Sequence, residues 1–208
     1  MKVLMINGSP NSNGCTYTAL EEIATILHKE GIETEIIQTG KEAIRDCIGC
    51  GACRNSDGMC IFKDDIVNEI IEKAKTADGF IVGSPVYFAH PSGRILSILD
   101  RVFYAGKKAF LYKPVAAVVS ARRAGTTASL DVLYKYFTLN NMPIVSSNYW
   151  AMVHGNKPDE IKQDLEGMQI IQGIGTNMAW LLKSLKAAKD AGIETPKPVE
   201  KIKTNFIR

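Results

Sequence analysis

No apolar run in this 208-residue chain approaches the ~18 residues that a membrane span needs, and the opening MKVLMINGSP has neither the length nor the cleavage pattern of a secretory signal. Membrane residence is not expected; a cytoplasmic location is. Charge of one sign is also lacking. Against 25 Lys and Arg stand 22 Asp and Glu, a net +3, which is too balanced for a nucleic-acid footprint or a polybasic membrane anchor. The expected partners are small molecules or proteins. Repeats and low-complexity segments are absent, and 46% hydrophobic residues over this length suit one substantial core. Cysteine is scarce outside one place: four of the five fall between Cys47 and Cys60. That excludes a spread disulfide framework and, in a reducing compartment, leaves ligand or redox thiols.

What is present is an alternation of short apolar runs with longer segments of helical period. KVLMI (2–6), TEIIQ (34–38), GFIVG (79–83), VAAVVS (115–120) and MPIVSS (142–147) read as strands. Helices are expected over 16–30, 64–76, 92–104, 127–140 and 159–186. Near-continuous apolar strands joined through helices predict an α/β fold, a three-layer doubly wound five-stranded parallel sheet. Two segments break the rhythm: a Cys-rich loop over 40–63, and a polar tail over 187–208 that reads as an oligomerisation arm beyond a domain of 1–186.

In such a sheet, ligands bind beyond the carboxyl ends of the strands, where a loop entering a helix presents free N–H groups to an anion. GSPNSNGCT (8–16) holds that place. Ser9, Asn11, Asn13 and Thr16 offer donors around a phosphate, and the absence of a Walker lysine suits a monoester. The plainer reading is that these residues only cap the first helix. GSPVYFAHPSG (83–93) and SARRAGTTASLD (120–131) end the third and fourth strands in the same way. Pro85, Val86, Tyr87 and Phe88 can wall a planar heterocycle. Arg122, Arg123 and the region of Gly125 can meet its polar edge, a nearby cation favouring a reduced, anionic ring.

Cys47, Cys50, Cys53 and Cys60 are spaced C-x2-C-x2-C-x6-C. Glycines between them allow a short loop to wrap a cubane, the fourth Cys closing the cage. Free or reversibly oxidised thiols stay open as a reading, and so does zinc, although zinc sites usually separate two Cys pairs more widely.

GSPNSNGCT, GSPVYFAHPSGRILSILDR, ARRAGTT and NMAWLLK together resemble the NADPH-dependent FMN reductase and iron–sulfur flavoprotein branch of the flavodoxin-like families, from Met1 to about Lys186. The resemblance implies a flavodoxin-like sheet with noncovalent FMN at its switch point. It implies that Ser9, Asn11, Asn13, Gly14, Cys15 and Thr16 surround the phosphate. Pro85, Val86, Tyr87 and Phe88 would line the isoalloxazine, and Ala121, Arg122, Arg123, Ala124 and Gly125 would approach its pyrimidine side. Cys15 stands where the family usually has Asn, and Asn11 where Arg is common. A thiol there, at a helix N-terminus, is open to a lowered pKa, although Cys15 reads as a filler. The cysteine spacing looks like the compact cluster motif of the iron–sulfur flavoproteins.

Two functions follow. The first is an FMN-dependent oxidoreductase passing electrons from NAD(P)H or a low-potential donor to a small acceptor such as a flavin or quinone. No dinucleotide fingerprint is visible, so NAD(P)H enters only as a transient co-substrate implied by the resemblance. The alternative is an electron carrier exchanging electrons with ferredoxin through a [4Fe-4S] cluster. A homodimer or homotetramer is also implied. No acid–base residue is assigned a catalytic part. His28, His90 and His154 read as surface or loop positions, Asp64 and Asp65 as helix-opening carboxylates, and Trp150 and Trp180 as core or interface anchors.

Overall fold

The computed structural model describes residues 1–200, 202, 204 and 206; the end of the arm expected over 187–208 lies outside the described residues. In chain order the elements are β1 (Lys2–Asn7), α1 (Cys15–Lys29), β2 (Glu33–Gln38), α2 (Val67–Thr76), β3 (Gly79–Tyr87), β4 (His90–Pro91), α3 (Gly93–Ala105), β5 (Val115–Ala121), α4 (Thr126–Leu139), β6 (Met152–His154), α5 (Pro158–Ile161) and α6 (Leu165–Asp190). Five strands pair in parallel in the order β2-β1-β3-β5-β6, the flavodoxin-like arrangement. The two-residue β4 pairs antiparallel with β3 alone.

Alternation along the central strands sorts the core into two layers. Leu4, Ile6, Phe80 and Val82 face α2, α3 and α4. Val3, Met5 and Ile81 face α1 and α6. A parallel sheet covered on both sides explains why these strands read as unbroken apolar runs.

Three expected boundaries are corrected. Residues 142–147 do not form the fifth strand. Ile144 makes only an isolated bridge to Val115, since Pro143 has no N–H to carry a ladder, and the strand beside β5 is β6, eight residues beyond Ile144. The long helix expected over 159–186 is two helices. It breaks at Asp164, whose carboxylate accepts from Gly167 N at 3.0 Å and from His154 N at 2.7 Å. The helix expected from 64 begins at Val67 because Asp65 spends its carboxylate elsewhere, on Val67 N and on Arg101. Trp150 and Trp180 are exposed, so neither is a core residue.

Candidate functional site

The site begins with the buried Asn7 at the end of β1. Its side chain accepts from Ser9 N (3.1 Å) and donates to Gln38 Oε1 (2.5 Å), while Gln38 Nε2 donates to Ser9 O (2.8 Å). Ser9 Oγ in turn accepts from Asn11 N (3.2 Å). The loop is thus folded by its own polar residues and by β2 before α1 starts. Gly14 is the residue that precedes α1, with no side-chain cap and no acidic residue in the first turn. The capping reading of Ser9, Asn11, Asn13 and Thr16 is therefore set aside. The first-turn N–H groups of a 15-residue helix stand without a side-chain acceptor, as an anion site requires.

This helix end opens into a cavity of about 540 Å³, within the usual range of small-molecule sites. Ser9, Asn11, Asn13, Gly14, Cys15 and Thr16 line it on one side, Pro85, Val86 and Tyr87 on another, and Ala121 and Arg122 on a third. Thr16 Oγ1 and Ser120 Oγ, 2.8 Å apart, tie the first and third loops together. The expected residues that do not reach the cavity are Phe88, Arg123, Ala124 and Gly125. Phe88 is fully exposed, and Gly125 packs beneath Ala89.

Lys41 and the segment Gly155, Asn156, Lys157 and Pro158 also line the cavity, and sequence reasoning missed them. Lys41 follows the carboxyl end of β2, the same edge that singled out the other loops, so position alone was a signal. The 155–158 segment was hidden because the last strand was placed too early. With Arg122, these lysines put three cations around a loop that itself carries none. Cys15 donates to Gly155 O at 3.7 Å. Burial pushes its thiol up rather than down, so the lowering open to a helix N-terminus is not what the structure gives. An uncapped helix end, surrounding cations and an apolar wall fit a group with a phosphate and a planar ring.

A second cavity, about 210 Å³, lies in the connection between β2 and α2 and is lined by all four clustered thiols, Cys47, Cys50, Cys53 and Cys60. The loop wraps it by turning at Gly49 and Gly51 (φ 64° and 69°), conformations that favour glycine. None of the four is in a disulfide. Among the described residues, no three His, Cys, Asp or Glu are grouped to hold a single metal ion; the thiols stand around a space. Helix α3 walls it: Cys53 Sγ donates to Tyr104 O (3.7 Å), and Arg101 Nε donates to Cys60 Sγ (3.4 Å). The same helix starts at the first cavity's scaffold, where Ser92 Oγ donates to Gly8 O (2.8 Å) and Arg94 grips the carbonyls of Thr39, Lys41 and Glu42.

His28 bonds Thr34 on the surface, His90 is exposed, and His154 Nδ1 lies 3.7 Å from Asp164. None lines either cavity. No helix among the described residues is long and apolar enough to cross a membrane.

Comparison with known proteins bears on both cavities. The model of the NADPH-dependent FMN reductase family matches residues 1–157. The chain is 33% identical over 194 residues to an iron–sulfur flavoprotein of Methanocaldococcus jannaschii, covering 89% of this chain and 100% of the relative. It is 27% identical over 195 residues to the iron–sulfur flavoprotein of Methanosarcina thermophila, covering 91% and 100%. Among solved structures, RosB with a bound 8-demethyl-8-formylriboflavin-5'-phosphate intermediate superposes with a TM-score of 0.66 at 18% identity, over 100% of this chain and 92% of that one. A flavodoxin from the domain Archaea gives 0.59 at 14%, over 88% and 99%. At such identities the structural matches bear on the fold. With the family model spanning most of the chain and a relative matched end to end, this chain belongs to the NADPH-dependent FMN reductase family of flavin-dependent oxidoreductases.

Proposed function

We propose that this chain is an iron–sulfur flavoprotein that carries electrons between a low-potential protein partner, ferredoxin being the expected one, and an acceptor at the flavin. The observation that carries the reading is that four thiols, C-x2-C-x2-C-x6-C, line one cavity of their own, walled by a helix that also anchors the phosphate loop. The full-length likeness to proteins named iron–sulfur flavoproteins supports it. An NAD(P)H-driven reductase, the function placed first from the sequence, takes second place for the same reason.

FMN bound in the larger cavity and a [4Fe-4S] cluster bound in the smaller would supply two-electron and one-electron redox chemistry. The chain's part is to bind and orient. The N-terminus of α1, with Ser9, Asn13 and Thr16, holds the phosphate. Pro85, Val86 and Tyr87 form the wall for the ring. Arg122, with Lys41 and Lys157, supplies positive charge that favours an anionic ligand. Cys47, Cys50, Cys53 and Cys60 are the thiolate set for the cluster.

The test is the visible spectrum with iron and acid-labile sulfide assays on protein purified without air. The reading expects a flavin spectrum with about four iron and four sulfide per chain, the content of one cubane, and electron exchange with ferredoxin. Flavin without iron, together with steady NAD(P)H oxidation, would replace it with the reductase.

A further inference from the structure

Arg101 is the largest fully buried side chain of the molecule's described residues, 1% exposed. A guanidinium so placed gives up its hydration, and a Leu or Met would fill the space without that loss. It sits on the face of α3 turned toward the cysteine segment. One terminal nitrogen meets Asp65, itself nearly buried, and Arg45 O at 3.2 Å; the other donates to Phe62 O at 3.4 Å. The Phe62 ring lies 5.6 Å beneath. With its charge balanced by Asp65, Arg101 turns its Nε–H onto Cys60 Sγ at 3.4 Å.

Cys60 is also held through its main chain. Asn68 of α2 accepts from Cys60 N and donates to Cys60 O, both at 2.8 Å. Two grips therefore act on this residue, Asn68 on its backbone and Arg101 on its sulfur, and both also donate to Phe62 O.

We infer that Arg101 is a positioning residue for the fourth thiolate, fixing the Cys60 sulfur and setting the reduction potential of the group it ligates through the N–H···S bond and the Arg101–Asp65 charge balance. This rests on the iron–sulfur reading. Hydrogen bonds to cluster sulfurs and net local charge are among the quantities that set such potentials. A donor aimed at sulfur favours the more negative, reduced state. Removing it lowers the potential, and exposing the uncompensated guanidinium raises it.

The experiment is an EPR-monitored redox titration of anaerobically purified, iron-loaded protein, with iron per chain measured in parallel. Arg101→Lys keeps a cation but loses the fork and its Nε donor. Its reduced-to-oxidised ratio at fixed ambient potential is expected to fall threefold to tenfold, tenfold being about 59 mV for one electron. Asp65→Asn keeps the acceptor to Val67 N but removes the counter-charge, and is expected to move the ratio the other way by a similar factor. Asn68→Ala removes the bonds to the Cys60 main chain and to Phe62 O but leaves the Arg101 Nε–H bond to the Cys60 sulfur, and is expected to lower iron per chain while the loaded fraction keeps the wild-type potential. Opposite shifts are not what a merely structural Arg101 gives. Wild-type potential in both Arg101→Lys and Asp65→Asn, or shifts of one sign, overturns the inference while leaving the iron–sulfur reading intact. Should Arg101→Lys not fold, the sign of the Asp65→Asn shift decides. Wild-type protein that takes up no iron under anaerobic reconstitution overturns both.

Discussion

Gly8→Ala tests how tightly the loop after β1, proposed above to hold the phosphate, is tied to the sheet. Gly8 lies where β1 leaves the sheet, its N–H donating to Gly83 O at 2.8 Å while its carbonyl accepts from Ser92 Oγ. A Cβ here would stand 2.8 Å from Gly83 O and 2.8 Å from Ile95 Cβ. One neighbour is backbone and the other the root of a buried side chain, so neither yields by a rotamer change. The loop itself must move. Overpacking of this kind costs about 1–3 kcal/mol, and at ~2–4 °C per kcal/mol for a chain of this size the midpoint of thermal unfolding should drop by about 2–12 °C. Because the displaced segment is the loop proposed to hold the phosphate, FMN affinity, read by fluorescence quenching on titration into apoprotein, should weaken about tenfold for each ~1.4 kcal/mol lost there. Gly93→Ala is the control. Gly93 is an exposed helix residue with nothing within 4 Å of an added Cβ, so the change is expected to be neutral or to stabilise by up to about 1 kcal/mol. If Gly8→Ala unfolds within about 1 °C of wild type and binds FMN as tightly, the close-approach reasoning is wrong.

Three further outcomes are expected. Phe88 and Ala89 form the two-residue turn between Tyr87 and its partner His90, both with positive φ (50° and 59°). Replacing the pair by Asn-Gly, the residues such a turn favours, should stabilise by about 1 kcal/mol, seen as a rise of ~2–4 °C on thermal unfolding. Glu35 accepts from the ammonium groups of Lys2 (2.5 Å) and Lys73 (2.6 Å), hydrogen bonds that hold its carboxyl below its ordinary 4.5. Its folded pKa is depressed, so the stabilisation is complete above about pH 4.5 and is lost as pH falls through the folded value. The gap in unfolding midpoint between wild type and Glu35→Gln should therefore be constant near neutrality and shrink below that pH; a gap that ignores pH refutes the pairing. Burial raises the Cys15 thiol, so its alkylation by iodoacetamide, followed residue by residue by mass spectrometry, should rise only at higher pH than for an ordinary thiol, and rapid labelling at neutral pH would contradict it.

Sheet and loops were legible in the sequence for a common reason: each strand buried on both faces writes an unbroken apolar run, and each ends at the edge where ligands bind. KVLMI and VAAVVS are of this kind, and the residues following them line the larger cavity. The fifth strand was not legible, because β6 is three residues long and MPIVSS is the more apolar decoy. Phe88-Ala89 carries no turn signal, since Phe and Ala rarely take positive φ; tertiary packing imposes it, with Gly125 pressed beneath Ala89. The cysteine motif was legible by spacing. Its buried arginine was not, as Arg101 meets Asp65 across 36 positions and no local pattern marks that meeting.

Helix α3 is fastened to both cavities: Ser92, its cap, holds the Gly8 carbonyl, and Arg101 holds the Cys60 sulfur. At about 1.5 Å per residue, the nine steps from Ser92 to Arg101 amount to ~13.5 Å along the axis. The spacing of the two anchor points is therefore a ruler written in helix turns, indifferent to the length of the cysteine loop. Lengthening or trimming the loop between Cys47 and Cys60 would reshape the smaller cavity without moving it relative to the loop after β1. A single residue inserted within α3 would turn its far end by about 100° and swing Arg101 away from Cys60, uncoupling the two sites while each remained built.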